Sequence, residues 1–167
     1  MIRVAQPHDL YSVVDIYNQT IASRLVTADL DPVSYEDKKP WFESHSTRRP
    51  IFVYCHDEQV IGWLSFKSFY GRPAYDGTVE ISIYVSESAR GQGVGRQLLL
   101  FAEHHSEQIN INVLLAFIFS HNHPSIALFT QNGFSQWGVL PDIANMAGQT
   151  CSLTILGKHL SVKNSLT

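Results

Sequence analysis

A glycine-rich stretch, RGQGVGR, lies in the middle of the chain and is the segment best suited to chemistry. Gly91, Gly93 and Gly95 occupy alternate positions between two arginines, and an amphipathic run follows at once. Glycine permits positive φ and lets a ligand approach the main chain closely. A helix that begins directly afterwards offers free N–H groups and the positive end of its dipole. The stretch therefore indicates an anion site suited to phosphates, or else a simple tight turn between a strand and a helix.

The spacing of these glycines excludes two common phosphate-binding loops. In the dinucleotide pattern G-x-G-x-x-G, the third glycine would fall where the chain has Arg96. A P-loop ends in Lys followed by Ser or Thr, whereas here Arg96 is followed by Gln97. What remains is the pattern R-x-x-G-x-G, which runs from Arg90 to Gly95.

A single carboxylate precedes the glycine stretch in the segment TVEISIYV, residues 78–85. Apolar and polar residues alternate along this segment, which predicts a strand with one apolar face and one polar face. A carboxylate in a partly buried cleft can have a raised pKa and accept a proton from an ammonium group, directly or through water. Glu80 is therefore the candidate general base, and the alternative is a solvated acid on a strand face.

The eight histidines do not form a convincing metal site. His104 and His105 are adjacent on a predicted helix, so they do not share a face. His121 and His123 have the spacing of two ligands, but no cysteine or acidic cluster accompanies them. We therefore expect no metal. The two cysteines lie far apart in apolar, strand-like segments and are expected to be reduced core thiols.

The elements that must position these residues are expected to form one domain over residues 1–160, followed by a polar tail at 161–167. Of the 167 residues, 44% are hydrophobic and 16% charged, which is typical of a folded chain. The balance of 12 basic against 15 acidic residues offers no footprint for nucleic acid. The N-terminus lacks the apolar core of a signal peptide, and no apolar run is long enough for a membrane span. These features predict a cytoplasmic protein with neither nucleic-acid nor membrane partners.

Hydrophobic periodicity predicts the element order βααβββαβαββ. The predicted strands cover residues 2–5, 51–56, 60–69, 78–85, 113–119, 134–140 and 150–156. A capping box at Ser34 predicts a helix start, and Pro40 is expected to kink that helix or to restart it. The fold class is therefore mixed α/β or α+β, with one sheet layer flanked by helices.

Four segments make the chain resemble the GCN5-related N-acetyltransferase (GNAT) superfamily and, more narrowly, the phosphinothricin acetyltransferases. They are IYNQTIAS in the first helix, RPAYDGTVEISIYV, RGQGVGRQLL and NHPSIALFTQNGF. The superfamily signature is Gln/Arg-x-x-Gly-x-Gly/Ala after the fourth strand, and the order of elements also agrees along nearly the whole chain. The resemblance implies the GNAT fold, with a mostly antiparallel central sheet whose fourth and fifth strands splay apart.

The resemblance also implies that acetyl-CoA is the co-substrate, with its pyrophosphate on the amides of the glycine stretch. Its pantetheine arm would lie along the end of the fourth strand, where the Val85 amide would polarise the acetyl carbonyl. Asn122 would contact the same arm and cap its helix. The residues expected at the co-substrate are Ile83, Tyr84, Val85, Arg90, Gly91, Gln92, Gly93, Val94, Gly95, Arg96 and Asn122.

On the acceptor side, the resemblance supports Glu80 as the base. Arg72 and Tyr75 are candidates for acceptor binding, because an arginine fork suits a carboxylate or phosphinate; Arg72 as an exposed loop residue is the alternative. The loop SRLVTADL (23–30) is expected to close the acceptor side. Phe129 stands where many members have a tyrosine that protonates the leaving thiolate, so here the thiolate is expected to leave unassisted or to take its proton from water or the product.

Together these features predict an N-acetyltransferase that works by direct attack in a ternary complex. The implied acceptors are small and amino-acid-like, such as phosphinothricin, methionine sulfoximine or methionine sulfone, and the implied assembly is a homodimer. One alternative is a peptide N-terminal or polyamine acetyltransferase. Another is a non-catalytic module that binds acetyl-CoA, which Phe129 would favour and Glu80 opposes.

Overall fold

The computed structural model describes residues 1–161, and its elements follow the predicted order. The strands are β1 (Ile2–Val4), β2 (Ile51–His56), β3 (Gln59–Ser68), β4 (Thr78–Val85), β5 (Val113–Phe119), β6 (Ser135–Met146) and β7 (Gln149–His159). The helices are α1 (Leu10–Asn18), α2 (Tyr35–Glu43), α3 (Val94–Gln108) and α4 (His123–Thr130). Apart from its first residue, the predicted tail at 161–167 lies outside the described residues.

All seven strands form one sheet in the order β1-β2-β3-β4-β5-β7-β6. Every neighbouring pair is antiparallel except β4 and β5, which are parallel. β2 and β3 form a hairpin through Asp57 and Glu58, both with positive φ, the turn geometry whose twist matches that of the strands. The predicted mixed, mostly antiparallel sheet is therefore confirmed.

Each face of the sheet packs against one pair of helices. On one face, α3 and α4 contribute residues such as Leu98, Leu99 and Phe129 to a core shared with alternate residues of β3, β4 and β5. On the other face, α1 and α2 pack over Val53 and Trp63. The Trp63 Nε1 donates to the Val13 carbonyl at 3.1 Å, which fixes α1 on the sheet. Because strand side chains alternate, β4 can present different residues to the two layers.

The start of α2 follows the predicted capping box. Ser34 accepts a hydrogen bond from the Asp37 amide at 3.1 Å, and the Asp37 carboxylate accepts one from the Ser34 amide at 3.4 Å. Pro40 lies inside this single helix rather than in the first turn of a new one, so of the two expected effects, a kink or a restart, the restart is wrong. The cap sets the start at Tyr35, and the Pro40 nitrogen has no hydrogen to donate within the helix.

The last two strands are longer than predicted. They meet at a turn formed by Ala147 and Gly148, which both have positive φ. The register between β6 and β7 shifts twice, at Gln136/Gly138 and at Leu140/Ala144. These bulges interrupt the alternation of side chains, which is why the sequence pattern indicated two short strands. Within residues 1–161, no helix has the length and apolar composition needed to cross a membrane.

Candidate active site

β4 and β5 are paired only at their beginnings and then diverge. The pairing runs from Thr78–Val113 to Glu80–Leu115, after which β4 continues beside β3 and β5 continues beside β7. The Ser86 amide donates to the Ile61 carbonyl at 2.9 Å, so these two residues form a hydrogen-bonded pair of β3 and β4. Hydrogen-bonded and non-hydrogen-bonded pairs alternate along an antiparallel ladder, so this bond shows which residues of β4 bond to β3. On that alternation, the N–H and C=O groups of Ile83 and Val85 point away from β3, towards the gap. The predicted splay is therefore present, and it leaves main-chain groups without a strand partner.

A groove of about 530 Å³ occupies this gap, and we call it the splay groove. The end of β4, the glycine stretch, the first turn of α3, α4 and part of the α1–α2 connection form its walls. All residues predicted at the co-substrate line it except Gln92: Ile83, Tyr84, Val85, Arg90, Gly91, Gly93, Val94, Gly95, Arg96 and Asn122. Gln92 instead donates to the Ser88 carbonyl at 2.9 Å.

The glycine stretch forms an open cradle of main-chain amides. Gly91 has φ +73° and Gly93 has φ +80°, and a Cβ at either position would meet no atom within 4 Å. The amides of residues 91–93 donate no hydrogen bond within residues 1–161, and those of the first turn of α3 have no partner in the helix. Free amides around open space at a helix N-terminus fit a pyrophosphate.

The two arginines beside the cradle contribute less than the main chain. Arg90 lies 3.7 Å from Glu87, and both side chains are exposed. Arg96 is also exposed, so solvent screens its charge. Gly95 serves a different purpose from the other glycines, because a Cβ there would meet Leu128 at 3.2 Å. It allows α3 to pack closely against α4.

Asn122 joins the splay groove to the start of α4. Only 5% of it is exposed, and its Oδ1 accepts a hydrogen bond from the Ser125 amide at 3.3 Å, so it caps α4 and lines the groove. Phe129, in the same helix, points into the core, where its ring lies edge-on to Phe134 at 5.0 Å. It has no hydroxyl and does not line the groove.

A smaller cavity of about 170 Å³ lies on the other face of β4, and we call it the Glu80 pocket. Its floor consists of three cross-strand pairs of β3 and β4: Trp63–Tyr84, Ser65–Ser82 and Lys67–Glu80. Its walls are Val13, Val14 and Tyr17 of α1 with Lys38 and Trp41 of α2. The pocket thus combines a carboxylate, two ammonium groups and an aromatic surface.

The Glu80 carboxylate is half-buried in this pocket. Burial raises its pKa, and the opposite charge of Lys67 offsets part of that effect. Within residues 1–161, no basic group lies within ion-pair distance of this carboxylate. A raised pKa makes a carboxylate a better proton acceptor, provided that it is still ionised at the working pH.

Tyr84 is the residue that the two cavities share, since it lines both. Its ring stacks on Trp63 at 4.4 Å with an interplanar angle of 17°. Burial raises its pKa, so the hydroxyl stays protonated at neutral pH. The Glu80 pocket and the splay groove therefore meet across one residue of β4.

Tyr17 fastens the α1–α2 connection beside this junction. Its hydroxyl donates to the Asp29 carboxylate and also contacts the Thr27 hydroxyl. Burial, together with the Asp29 hydrogen bond, raises the Tyr17 pKa to about 12. In the loop at 23–30, which was predicted to close the acceptor side, Ser23, Leu25 and Val26 line the splay groove instead.

Arg72 and Tyr75 line a separate cavity of about 330 Å³, together with Arg48 and Arg49. Arg49 donates to the Asp76 carbonyl at 2.8 Å and to the Ser68 hydroxyl at 2.8 Å, which holds the β3–β4 connection in place. The structure therefore does not bring Arg72 and Tyr75 to Glu80 within this chain.

The sequence reasoning missed the two lysines and the aromatic wall of the Glu80 pocket. Lys67 could have been found from the β3–β4 register, but the long irregular connection at 69–77 conceals that register. Lys38 and Trp41 are three residues apart and so share a face of α2. That spacing was visible in the sequence, but nothing local showed that this face meets β4.

A cavity of about 640 Å³ lies among α2, β1 and β2, has a mostly apolar lining and shares no residue with the splay groove or the Glu80 pocket. Within residues 1–161, no three His, Cys, Asp or Glu side chains are grouped so that they could hold a metal ion.

Comparison with known proteins identifies the family to which this chain belongs. The profile of the acetyltransferase (GNAT) family matches residues 13–134. YwnH of Bacillus subtilis, provisionally named a phosphinothricin acetyltransferase, is 51% identical over 96% of this chain and 99% of its own. A Pseudomonas aeruginosa protein named L-methionine sulfoximine/L-methionine sulfone acetyltransferase is 28% identical over 98% of this chain and 96% of its own.

A solved structure completes the comparison. It is that of a GNAT superfamily phosphinothricin acetyltransferase from Sinorhizobium meliloti in complex with AcCoA. The two chains are 26% identical with a TM-score of 0.90, over 100% of this chain and 91% of the other. The family match covers well over half of the chain, and the predicted fold and family are confirmed. The chain therefore belongs to the acetyltransferase (GNAT) family, in its phosphinothricin acetyltransferase-like branch.

Proposed function

We propose that this chain transfers the acetyl group of acetyl-CoA to the α-amine of a small amino-acid-like acceptor. The acceptor is of the phosphinothricin, methionine sulfoximine or methionine sulfone type, as the names of the relatives suggest. One observation carries the proposal: a cradle for an anion and a half-buried carboxylate lie on either side of Tyr84, so donor and acceptor can meet across β4.

The splay groove supplies what acetyl-CoA needs. The amides from Gly91 to Arg96 fit its pyrophosphate, and the unpaired groups of Ile83 and Val85 can hydrogen-bond its pantetheine arm. Asn122 reaches the same wall of the groove. Bound acetyl-CoA supplies an activated thioester, and the Val85 amide, which points into the gap, donates to the acetyl carbonyl oxygen and polarises it.

Glu80 takes the proton of the acceptor. It removes one proton from the ammonium group, directly or through water, and the neutral amine then attacks the acetyl carbon. A C–N bond forms as the C–S bond breaks, and the sulfur leaves with the electron pair. Because Phe129 has no proton to give, the sulfur departs as thiolate, which is reasonable for a thiol of pKa about 8.5. The nitrogen that attacked still carries one proton more than an amide has, and it gives that proton to water or to the departing thiolate. Cys55 and Cys151 line neither cavity, which supports direct transfer in a ternary complex.

The Glu80 pocket also bears on the alternative acceptors. Its volume of about 170 Å³ suits a small molecule better than a peptide, which needs an open groove. Its two lysines repel a polyamine. A module that only binds acetyl-CoA has no need of a half-buried carboxylate next to the groove, because burying an unpaired charge costs stability.

An acceptor screen tests the proposal. Purified protein is incubated with acetyl-CoA and, separately, with phosphinothricin, methionine sulfoximine, methionine sulfone, short peptides and spermidine, and the released CoA thiol is measured. We expect release with at least one of the three amino acids and none above background with peptides or spermidine. Release of CoA with only the peptides or spermidine would contradict the proposal, and so would the absence of release with every acceptor tested. The proposal also includes a cytoplasmic location and a homodimeric assembly, both of which the family resemblance supports. Sedimentation equilibrium measures the assembly.

A further inference from the structure

We propose that Lys38 and Lys67 together bind the acid groups of the acceptor and select α-amino acids that carry a second acid over those with a neutral side chain. This specificity rests on the proposed function, because it describes the acceptor that occupies the Glu80 pocket. The second acid can be a carboxylate or a phosphinate, which offer the same kind of paired oxygens to an ammonium group.

Lys67 lies beside the reacting carboxylate. It is the cross-strand partner of Glu80, on the same face of the sheet, and its side chain is exposed at the mouth of the pocket. Directly opposed residues of an antiparallel pair have Cβ atoms roughly 5 Å apart. Within residues 1–161, no carboxylate lies within ion-pair distance of the Lys67 ammonium. Its charge is therefore available to a ligand.

Lys38 faces the same space from the opposite wall. Its Nζ lies 4.4 Å from the centre of the Tyr17 ring and 5.4 Å from that of Trp41, so the two rings hold the ammonium group in place. It too has no carboxylate within ion-pair distance in the described part of the chain. The next residue, Lys39, behaves differently: it pairs with Glu43 at 3.8 Å and lines another cavity.

The balance of charge indicates the class of acceptor. The pocket contains one carboxylate and two ammonium groups, and its remaining polar side chains are the uncharged Ser65, Ser82 and two tyrosines. Once Glu80 has accepted the proton of the amine, two positive charges remain. An amino acid with a neutral amine and two acids carries two negative charges, whereas methionine sulfone carries one. A bound acceptor shields these ammonium groups from water, and charges shielded in this way are stable only when paired. The diacid therefore gives the balanced complex at the moment of attack.

Binding and transfer are measured side by side for Lys67→Met and Lys38→Met. Lys39→Met is the matched control, because Lys39 is the next residue of α2 but lines another cavity. The probes are phosphinothricin, as the diacid, and methionine sulfone, as the neutral-side-chain amino acid. Trp41 and Trp63 line the pocket, so their fluorescence reports occupancy in protein saturated with CoA. Thermal unfolding of each variant confirms that it is folded.

We expect the wild-type protein to bind phosphinothricin about tenfold or more tightly than methionine sulfone. Lys67→Met and Lys38→Met should each weaken phosphinothricin binding about 10- to 100-fold, the range expected for a charge-assisted hydrogen bond. They should weaken methionine sulfone binding less, and Lys39→Met should change neither.

Each other outcome has a defined meaning. Equal wild-type affinity for both probes, or lysine variants that bind like the wild type, overturns the inference while leaving acetyl transfer intact. Arg72→Ala is measured alongside the lysine variants. Loss of phosphinothricin binding in Arg72→Ala, with binding retained in both lysine variants, would move the acid-binding group to the β3–β4 connection and also overturn the inference. Lysine-dependent binding without any transfer refutes the proposed function and supports the inference. Failure of the wild-type protein to bind either probe refutes both.

Discussion

The splay groove and the Glu80 pocket lie on opposite faces of β4 but are built in different ways. The groove depends on main-chain groups: free amides of the glycine stretch and unpaired groups at the end of β4. The pocket depends on side chains from four elements, β3, β4, α1 and α2. A ligand of constant structure can be held by backbone that few substitutions alter. A ligand that varies among relatives requires side chains that can be exchanged without rebuilding the fold.

This difference predicts the largest effect at the main chain of the groove. Gly93→Val should abolish measurable acetyl-CoA binding, because the branched side chain would fill the cradle and is strained at φ +80°. Isothermal titration with acetyl-CoA measures the loss, expected to exceed about 100-fold.

Gly148→Val is the matched control for that experiment. Gly148 has φ +93° and no atom within 4 Å of a Cβ, so it bears the same kind of backbone strain outside both cavities. We expect it to lose stability but to bind acetyl-CoA normally. Tight binding by Gly93→Val, or an equal loss in Gly148→Val, would show that the cradle is not where acetyl-CoA binds.

A smaller effect is expected at Asn122, where the groove depends on a side chain. Asn122→Ala removes the cap of α4 and should lower the free energy of unfolding by about 1 kcal/mol. Asn122→Ser retains a cap and should restore that stability. If Asn122 also contacts acetyl-CoA, both variants should bind it several-fold more weakly in titration. Full recovery of affinity in Asn122→Ser would make Asn122 a helix cap only.

The smallest effect is expected in the pH dependence of stability at Glu80. Burial raises the pKa of this carboxyl in the folded protein, so the folded state holds its proton more tightly than the unfolded state. Ionised Glu80 therefore destabilises the fold. Its contribution to the free energy of unfolding becomes less favourable as pH rises from the ordinary pKa of a glutamate through the raised pKa of Glu80 in the folded protein. Urea midpoints of wild type and Glu80→Gln should agree in acid and separate towards neutral pH, with the variant more stable. A difference independent of pH would contradict this.

More of the splay groove than of the Glu80 pocket could be predicted from the sequence, for a physical reason. The cradle is one continuous stretch, so its glycine spacing was readable in order, and the alternation of residues 78–85 placed Glu80 on the polar face. The pocket brings Lys38 and Lys67 together through tertiary packing and through a register that follows an irregular connection. No local pattern encodes that meeting.

The same argument applies to the elements that differed from prediction. β4, β5 and α4 were located well, because each has a clear local signal. β4 alternates apolar and polar residues, β5 is one continuous apolar run, and α4 has a cap at Asn122 and Gly133 past its end. β6 and β7 were predicted too short, since bulges break their alternation. Arg72 and Tyr75 precede Glu80 by only a few residues, yet the connection folds them into another cavity. Proximity in sequence was a poor guide there, and acceptor binding by these two residues stays a prediction.

The central claim is that Glu80 accepts a proton from the acceptor amine in the Glu80 pocket, while acetyl-CoA lies in the splay groove on the other side of Tyr84. Its most direct test is the turnover of Glu80→Gln with phosphinothricin, measured with acetyl-CoA affinity on the same sample. Glu58→Gln, an exposed acid in the β2–β3 turn, is the control. We predict that kcat falls about 10²- to 10⁴-fold in Glu80→Gln while its affinity for acetyl-CoA stays that of the wild type. Glu58→Gln should keep both the kcat and the acetyl-CoA affinity of the wild type. Turnover within about threefold of the wild type would contradict the account.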